Sequence, residues 1–120
     1  MGNKPDRILS MLSIAQRGGN VKSGELQTEE AVKNGSAGLV IVADDASENT
    51  KKKFRNSCAF YEVPFRSYAD KNTLGWAIGR DFRACVAVTE QGLAERIREL
   101  IDREQEASIQ KVNGGSDENK

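Results

Sequence analysis

The segment Leu-Val-Ile-Val-Ala at residues 39–43 limits the possible folds of this chain more than any other feature. All of its residues are apolar and most are β-branched, which is typical of a strand that is buried on both faces. Residues 84–89 form a second run of the same kind. Because such strands need helices on both sides of their sheet, the two runs predict an α/β fold.

Helical patterns alternate with the strand candidates along the chain. Apolar periodicity predicts helices over about residues 5–17, 24–34, 70–79 and 90–102, and one more helix carrying Thr50, Phe54, Cys58 and Tyr61 along one side. Short strands are predicted at residues 21–23 and 63–68, in addition to the two buried runs. The alternation predicts a central sheet of four strands with helices on both faces.

The domain organisation follows from where the apolar residues stop. Leu, Ile, Val and Phe occur throughout the first 102 residues, but residues 103–120 hold only Ile109 and Val112 from this group. We therefore expect one domain over residues 1–102 and a polar, disordered tail over residues 103–120, in which residues 103–110 could extend the last helix.

Several classes of function are disfavoured by composition. The chain has no His, which excludes imidazole catalysis and His-ligated zinc, and its two Cys residues, Cys58 and Cys85, lack the spacing of a metal or redox motif. It has no signal-peptide pattern and no apolar run of membrane-spanning length. These observations predict a cytoplasmic protein with two buried free thiols, no cofactor and no membrane partner.

The strand-to-helix junction at residues 23–27 is the first candidate site. Gly24 lets a ligand approach the backbone, and free N–H groups at a helix start attract anionic oxygens. Glu25, Leu26 and Gln27 follow directly, and the Gln27 amide can both donate and accept hydrogen bonds.

The segment from Trp76 to Arg83 is the second candidate site. Helical geometry places Trp76 opposite the apolar face of its helix, so we expect its ring to be exposed. Arg80, Phe82 and Arg83 follow in a loop. Exposed aromatic rings between arginines suit stacking on bases and contacts to phosphates. The alternative is that Trp76 and Phe82 cover the core.

Two further charged clusters have simpler interpretations. Asp44 and Asp45 follow a buried strand, where they could hold a divalent ion or act as an acid–base pair, but helix capping is the favoured interpretation. Lys51, Lys52 and Lys53 are spread around most of a helical turn, so they fit a solvated face better than a phosphate clamp. With zero net charge, the chain is not expected to bind nucleic acid by bulk charge.

Six short motifs together resemble the superfamily of kink-turn-binding ribosomal proteins of the L7Ae and L30e type, and more closely its bacterial YlxQ-like branch. The motifs are Leu12-x-x-Ala15-x-Arg17, Ser23-Gly24, Leu39-Val40-x-x-Ala43-x-Asp45, Cys58-x-x-x-x-Val63-Pro64-Phe65, Leu74-Gly75-x-Ala77-x-Gly79 and Val86-Ala87-Val88. The resemblance covers roughly residues 7–101. It implies a three-layer α/β/α sandwich around a mixed four-stranded sheet.

The resemblance also implies a function without catalysis. Family members bind structured RNA at a kinked internal loop that contains tandem sheared G·A pairs. The implied partner is structured RNA, with ribosomal RNA as one candidate, and the implied state is a monomer with no small-molecule substrate.

At the start of the second helix this chain departs from the family pattern Gly-x-Asn-Glu-x-x-Lys. Gly24 is kept, but Leu26 stands at the Asn position, Gln27 at the Glu position and Glu30 at the Lys position. Leu26 lacks the hydrogen bonds of Asn, and Glu30 repels phosphate. We therefore expect RNA binding of altered specificity, or a protein-interaction module that kept the fold and lost RNA binding. The predicted site comprises Lys22, Gly24, Glu25, Leu26, Gln27, Trp76, Arg80, Phe82 and Arg83.

Overall fold

Helices and strands alternate from the first described residue to the last in the computed structural model, which describes residues 6–117. Their bounds are α1 Arg7–Arg17, β1 Val21–Ser23, α2 Glu25–Lys33, β2 Leu39–Val42, α3 Glu48–Tyr61, β3 Phe65–Ser67, α4 Lys71–Ala77, β4 Cys85–Val88 and α5 Gln91–Asp117. The predicted alternation is confirmed. None of the helices within the described residues has both the length and the apolar character that crossing a bilayer needs.

The four strands form one mixed sheet in the order β1-β4-β2-β3. Strand β4 is antiparallel to β1 and to β2, whereas β2 and β3 are parallel. Ser23 pairs with Val86, and Val42 pairs with both Cys85 and Ser67. The last residues of β1, β2 and β3 and the first residue of β4 therefore lie at the same end of the sheet.

Helices cover both faces of this sheet, as predicted. The pair α2 and α3 packs on one face, and α1, α4 and α5 pack together on the other. Every residue of β2 and β4 is fully buried, at 0% exposure, because helices lie above and below them. The architecture is the expected three-layer α/β/α sandwich.

Most of the predicted apolar side of α3 is buried, but its last member is not. Thr50, Phe54 and Cys58 face the core, whereas Tyr61 is 41% exposed. Tyr61 is the last residue of the helix, and its ring packs edge-to-face on Phe60 with 4.9 Å between ring centroids. The predicted side of the helix is therefore buried at Thr50, Phe54 and Cys58 and becomes exposed at its last residue.

The last helix continues to Asp117, past its predicted end at about residue 102. Polar contacts to β3 hold its middle: Arg66 Nε donates to Asp102 Oδ1 over 2.6 Å, and Gln105 Nε2 donates to the Ser67 carbonyl over 2.9 Å. Residues 103–117 are thus helical, as the possible extension over residues 103–110 allowed, whereas the disorder expected for the rest of the tail is wrong up to residue 117. Residues 118–120 lie outside the described part of the chain.

Both cysteines are free and buried, as expected. Burial raises the pKa of the Cys58 thiol to about 11, and it raises the pKa of the Cys85 thiol to about 11 as well. At neutral pH both sulfurs therefore stay protonated and act as small apolar groups of the core.

Candidate functional site

The two predicted site segments lie side by side at one end of the sheet. Because β1 and β4 are antiparallel, the chain leaving β1 meets the chain entering β4, and the Gly24 N–H donates to the Cys85 carbonyl over 3.0 Å. We call residues 22–27 and 76–84 together the loop-end surface.

Gly24 makes the turn from β1 into α2. Its φ of 88° and ψ of 161° lie in a region that is essentially open only to glycine. Apart from the two neighbouring residues in the chain, no atom lies within 4 Å of where a Cβ would stand. Glycine is therefore required here by the backbone angles and not by lack of space, and the backbone is open to an approaching ligand. No side chain caps α2, and its first-turn N–H groups therefore remain available to anionic oxygens.

The first turn of α2 presents two predicted site residues to solvent. Leu26 is 80% exposed, and Gln27 is exposed beside it. Lys22, Gln27 and Glu30 line the same shallow depression, so the lysine lies on the same part of the surface as the carboxylate that replaces the family's lysine. The structure thus joins Lys22 to the Gly24–Gln27 segment.

The Glu25 side chain makes contacts within the fold. Its carboxylate accepts a hydrogen bond from Thr50 Oγ1 over 2.8 Å and lies 3.6 Å from Lys53 Nζ. Lys53 also lies 3.1 Å from Glu29, and this contact holds the pKa of the Glu29 carboxyl below its usual range. The Glu25 side chain therefore fixes α2 against α3, which leaves its backbone N–H as the part that faces a ligand.

The α4–β4 loop folds back tightly on α4. A Cβ on Gly75 would lie 2.5 Å from the Phe82 Cα, so only glycine lets the loop pack this close. The Arg80 N–H also donates to the Gly75 carbonyl over 2.8 Å. The result is a fixed backbone that holds the Phe82 ring 57% exposed.

Arg83 connects the two segments of the loop-end surface. Its Nε donates to Ser23 Oγ over 3.1 Å, and its Nη1 donates to the Phe82 carbonyl over 2.7 Å. The side chain is half-buried, whereas Arg80 is exposed. Arg83 was expected to contact phosphate alone, and the structure shows that it also braces the loop against β1.

Trp76 is 75% exposed, which confirms the prediction and rules out a core-covering role. Its ring lies between two shallow depressions, one shared with Arg80 and the other with Ile14 and Arg17 of α1. The structure therefore places Trp76 next to Arg80 but in the helical layer opposite α2. Phe82 is likewise exposed and does not cover the core.

The other charged clusters are explained by local contacts. Asp44 accepts from Ser67 Oγ over 2.6 Å, Asp45 accepts from the Lys71 N–H over 2.9 Å, and α3 is capped by Ser47 instead. Within residues 6–117, no group of three or more acidic or sulfur ligands could hold a metal ion.

The specific contacts of two residues were missed at the level of sequence. Ser23 was placed in the first candidate site, but its bond to Arg83, which is 60 positions away in the chain, was not expected. Gly75 was noted only as part of a family motif. Its position inside a predicted helix was itself a signal, because a glycine there costs helix stability and so points to a packing reason.

Comparisons with known proteins show the family of the chain. Residues 6–98 match the model of the ribosomal protein L7Ae/L30e/S12e/Gadd45 family. The chain is 39% identical to the RNA-binding protein YlxQ of Bacillus subtilis (strain 168), over 77% of this chain and 92% of that protein. It is 34% identical to the RNA-binding protein YlxQ of Enterococcus faecium, over 84% of this chain and 96% of that one.

A solved structure supports the same fold. It is that of a Bacillus halodurans protein described as having unknown function, and it superimposes with a TM-score of 0.80 at 36% sequence identity. The match covers 82% of this chain and 99% of that one.

Proposed function

Because this chain belongs to the ribosomal protein L7Ae/L30e/S12e/Gadd45 family, we propose that it binds structured, kink-turn-like RNA at the loop-end surface, without catalysis. Two relatives that carry the name RNA-binding protein YlxQ support the RNA-binding part. One structural observation carries the location: the Arg83–Ser23 hydrogen bond joins the uncapped start of α2 to a loop with an exposed aromatic ring and a second arginine.

Each predicted residue has a role that its chemistry supports. Gly24 allows an RNA backbone to approach the N–H groups of Glu25 and Leu26, and Gln27 hydrogen-bonds a base edge. Phe82 stacks on an unpaired base, and Trp76 provides a second ring at the far end of the surface.

The cations of the surface neutralise phosphate groups. Lys22 and Arg80 are exposed and can reach the RNA backbone, and Arg83 combines a phosphate contact with its bracing role. Glu30 opposes them at the depression that it shares with Lys22. Leu26 cannot hydrogen-bond a base, and Glu30 repels phosphate. These two departures from the family pattern favour RNA binding of altered specificity within the kink-turn class.

The acting unit in this proposal is a monomer that needs no cofactor. We place its RNA-binding domain in residues 1–102, to which residues 103–117 add the polar continuation of α5. Ribosomal RNA is one natural target that the family description fits.

A protein-interaction role is the second candidate. Leu26 is 80% exposed and Trp76 is 75% exposed, and tryptophan is among the residues that anchor protein interfaces. In that case the loop-end surface would bind a protein, and added RNA would not displace that protein.

The test is a titration of the full chain with two RNA hairpins at about 50 and about 200 mM salt. One hairpin contains a kink-turn, and in the other the G·A pairs are replaced by Watson–Crick pairs. We expect binding at least about tenfold tighter to the first, a difference of about 1.4 kcal/mol. Equal binding to both contradicts the proposal, and no binding to either moves the function to the protein-interaction candidate.

A further inference from the structure

The outward face of α3 carries a row of three exposed polar and aromatic side chains. Lys52, Asn56 and Phe60 are spaced four residues apart, so they lie above one another on one side of the helix. The opposite side of α3 buries Thr50, Phe54 and Cys58. Phe60 is 78% exposed, and nothing in the described fold requires a large ring at that position.

The charge of this face is positive. Between Glu48 and Glu62, α3 has no acidic residue. In the part of the chain that the structure describes, the α3 ion pairs use Lys51 and Lys53, and no carboxylate pairs with Lys52. Its ammonium group therefore remains available to an external anion.

The row begins beside the loop-end surface and leads away from it. Helix α3 starts just after β2 ends, at the same end of the sheet as Gly24. With a rise of 1.5 Å per residue, the Cα atoms of Lys52 and Phe60 are about 12 Å apart along the axis. An extended strand of two or three nucleotides covers that distance.

We propose that the outer face of α3 holds an unpaired RNA strand that continues from the RNA bound at the loop-end surface. Lys52 contacts a phosphate, Asn56 hydrogen-bonds a base edge and Phe60 stacks on a base. This combination of a cation, an amide and a ring is the chemistry of single-strand binding. The apolar part is only the Phe60–Tyr61 ring pair, which is too small for the core of a stable protein interface.

This inference rests on the proposed function, and the experiment separates the two. The full chain is titrated with the kink-turn hairpin, with and without an unpaired extension of about six nucleotides. We expect the extension to tighten binding about tenfold in the wild type. Phe60→Ala together with Lys52→Ala abolishes this gain while leaving affinity for the hairpin alone unchanged.

Matched variants show which chemistry is responsible. Phe60→Tyr keeps a ring and should retain the gain, whereas Phe60→Leu keeps apolar volume and should lose most of it. Arg103→Ala removes an exposed cation from α5 and should have no effect. An extension that adds nothing in the wild type, or a gain that survives the double substitution, overturns the inference. Failure to bind even the plain hairpin overturns the proposed function itself.

Discussion

Glu30 is an acidic residue beside the loop-end surface that repels phosphate. It is exposed and lines the same depression as Lys22 and Gln27. We predict that Glu30→Lys tightens binding to the kink-turn hairpin and steepens the salt dependence by about one unit, because one more phosphate is neutralised. Glu95→Lys on α5 is the matched control. Equal changes of hairpin affinity in both variants would contradict a specific effect of Glu30.

Arg83 and Arg80 should respond differently to conservative replacement. Lysine keeps the charge of Arg83 but cannot reproduce the planar fork that reaches both Ser23 and the Phe82 carbonyl. We therefore predict that Arg83→Lys weakens RNA binding several-fold with an unchanged salt slope, whereas the exposed Arg80 tolerates lysine. Titrations of both variants at several salt concentrations measure this difference. If Arg83→Lys binds RNA as tightly as the wild type, the bonds of Arg83 to Ser23 and Phe82 are unimportant for binding.

At the level of residues, the sequence predicted exposure better than it predicted partners. Helical periodicity alone placed Trp76 on the outside, because the apolar neighbours on α4 define its inner face. The bonds of Arg83 to Ser23 and of Glu25 to Thr50 could not be predicted in this way. Both join elements that are far apart in the chain, and they depend on strand register and on helix packing.

The packing of the α4–β4 loop on α4 depends on Gly75. A Cβ there would lie 2.5 Å from the Phe82 Cα, so the loop would have to move. We predict that Gly75→Ala destabilises the fold by about 1–3 kcal/mol and also weakens RNA binding, because Phe82 shifts. Urea unfolding and the hairpin titration measure the two effects.

Gly92→Ala is the matched control for that substitution. Gly92 also lies in a helix, and a Cβ there would meet only the end of the Glu90 side chain, at 3.4 Å. This change should leave stability equal or raise it by up to about 1 kcal/mol, since alanine favours helix. Equal behaviour of the two alanine variants would show that Gly75 has no special packing role.

The attachment of α5 to β3 should depend on pH. Arg66 holds the pKa of the Asp102 carboxyl below its usual range. A lowered folded-state pKa means that the pair stabilises the fold above the unfolded value of about 3.9 and that this contribution is lost as pH falls through the folded value. Because both side chains are partly exposed, we expect an effect below about 1 kcal/mol.

Asp102→Asn tests this contribution. The variant should be less stable than the wild type at pH 7, and the difference should shrink towards pH 2 as the wild-type carboxyl becomes protonated. Urea midpoints at both pH values measure it. A difference that does not change with pH would show that the ion pair is not its source.

Element positions were predictable where the apolar pattern is strong. The pattern is a continuous apolar run in β2 and β4 and a helical periodicity in α1. The end of α5 was not, because residues 103–108 are polar and carry no apolar stripe. Contacts of Asp102 and Gln105 to β3 accompany the helix there, and such polar docking leaves no periodic signal in the sequence.

At the scale of the whole molecule, sheet topology creates the candidate site. The antiparallel pairing of β4 with β1 brings residues 78–84 next to residues 23–27, although they are far apart in the chain. Alternating helices and strands predicted the layers, but no local pattern specifies the order β1-β4-β2-β3. The family resemblance supplied the mixed sheet and linked the two segments to one function.

The central claim is that RNA binds at the loop-end surface, and amide chemical-shift mapping tests it most directly. The isotopically labelled full chain is titrated with the kink-turn hairpin, which has no unpaired extension. We predict that the largest shifts fall on the amides of residues 23–27 and 79–83. The amides in the C-terminal half of α5 should change little. Large shifts confined to other surfaces, with these two segments unchanged, would contradict the account.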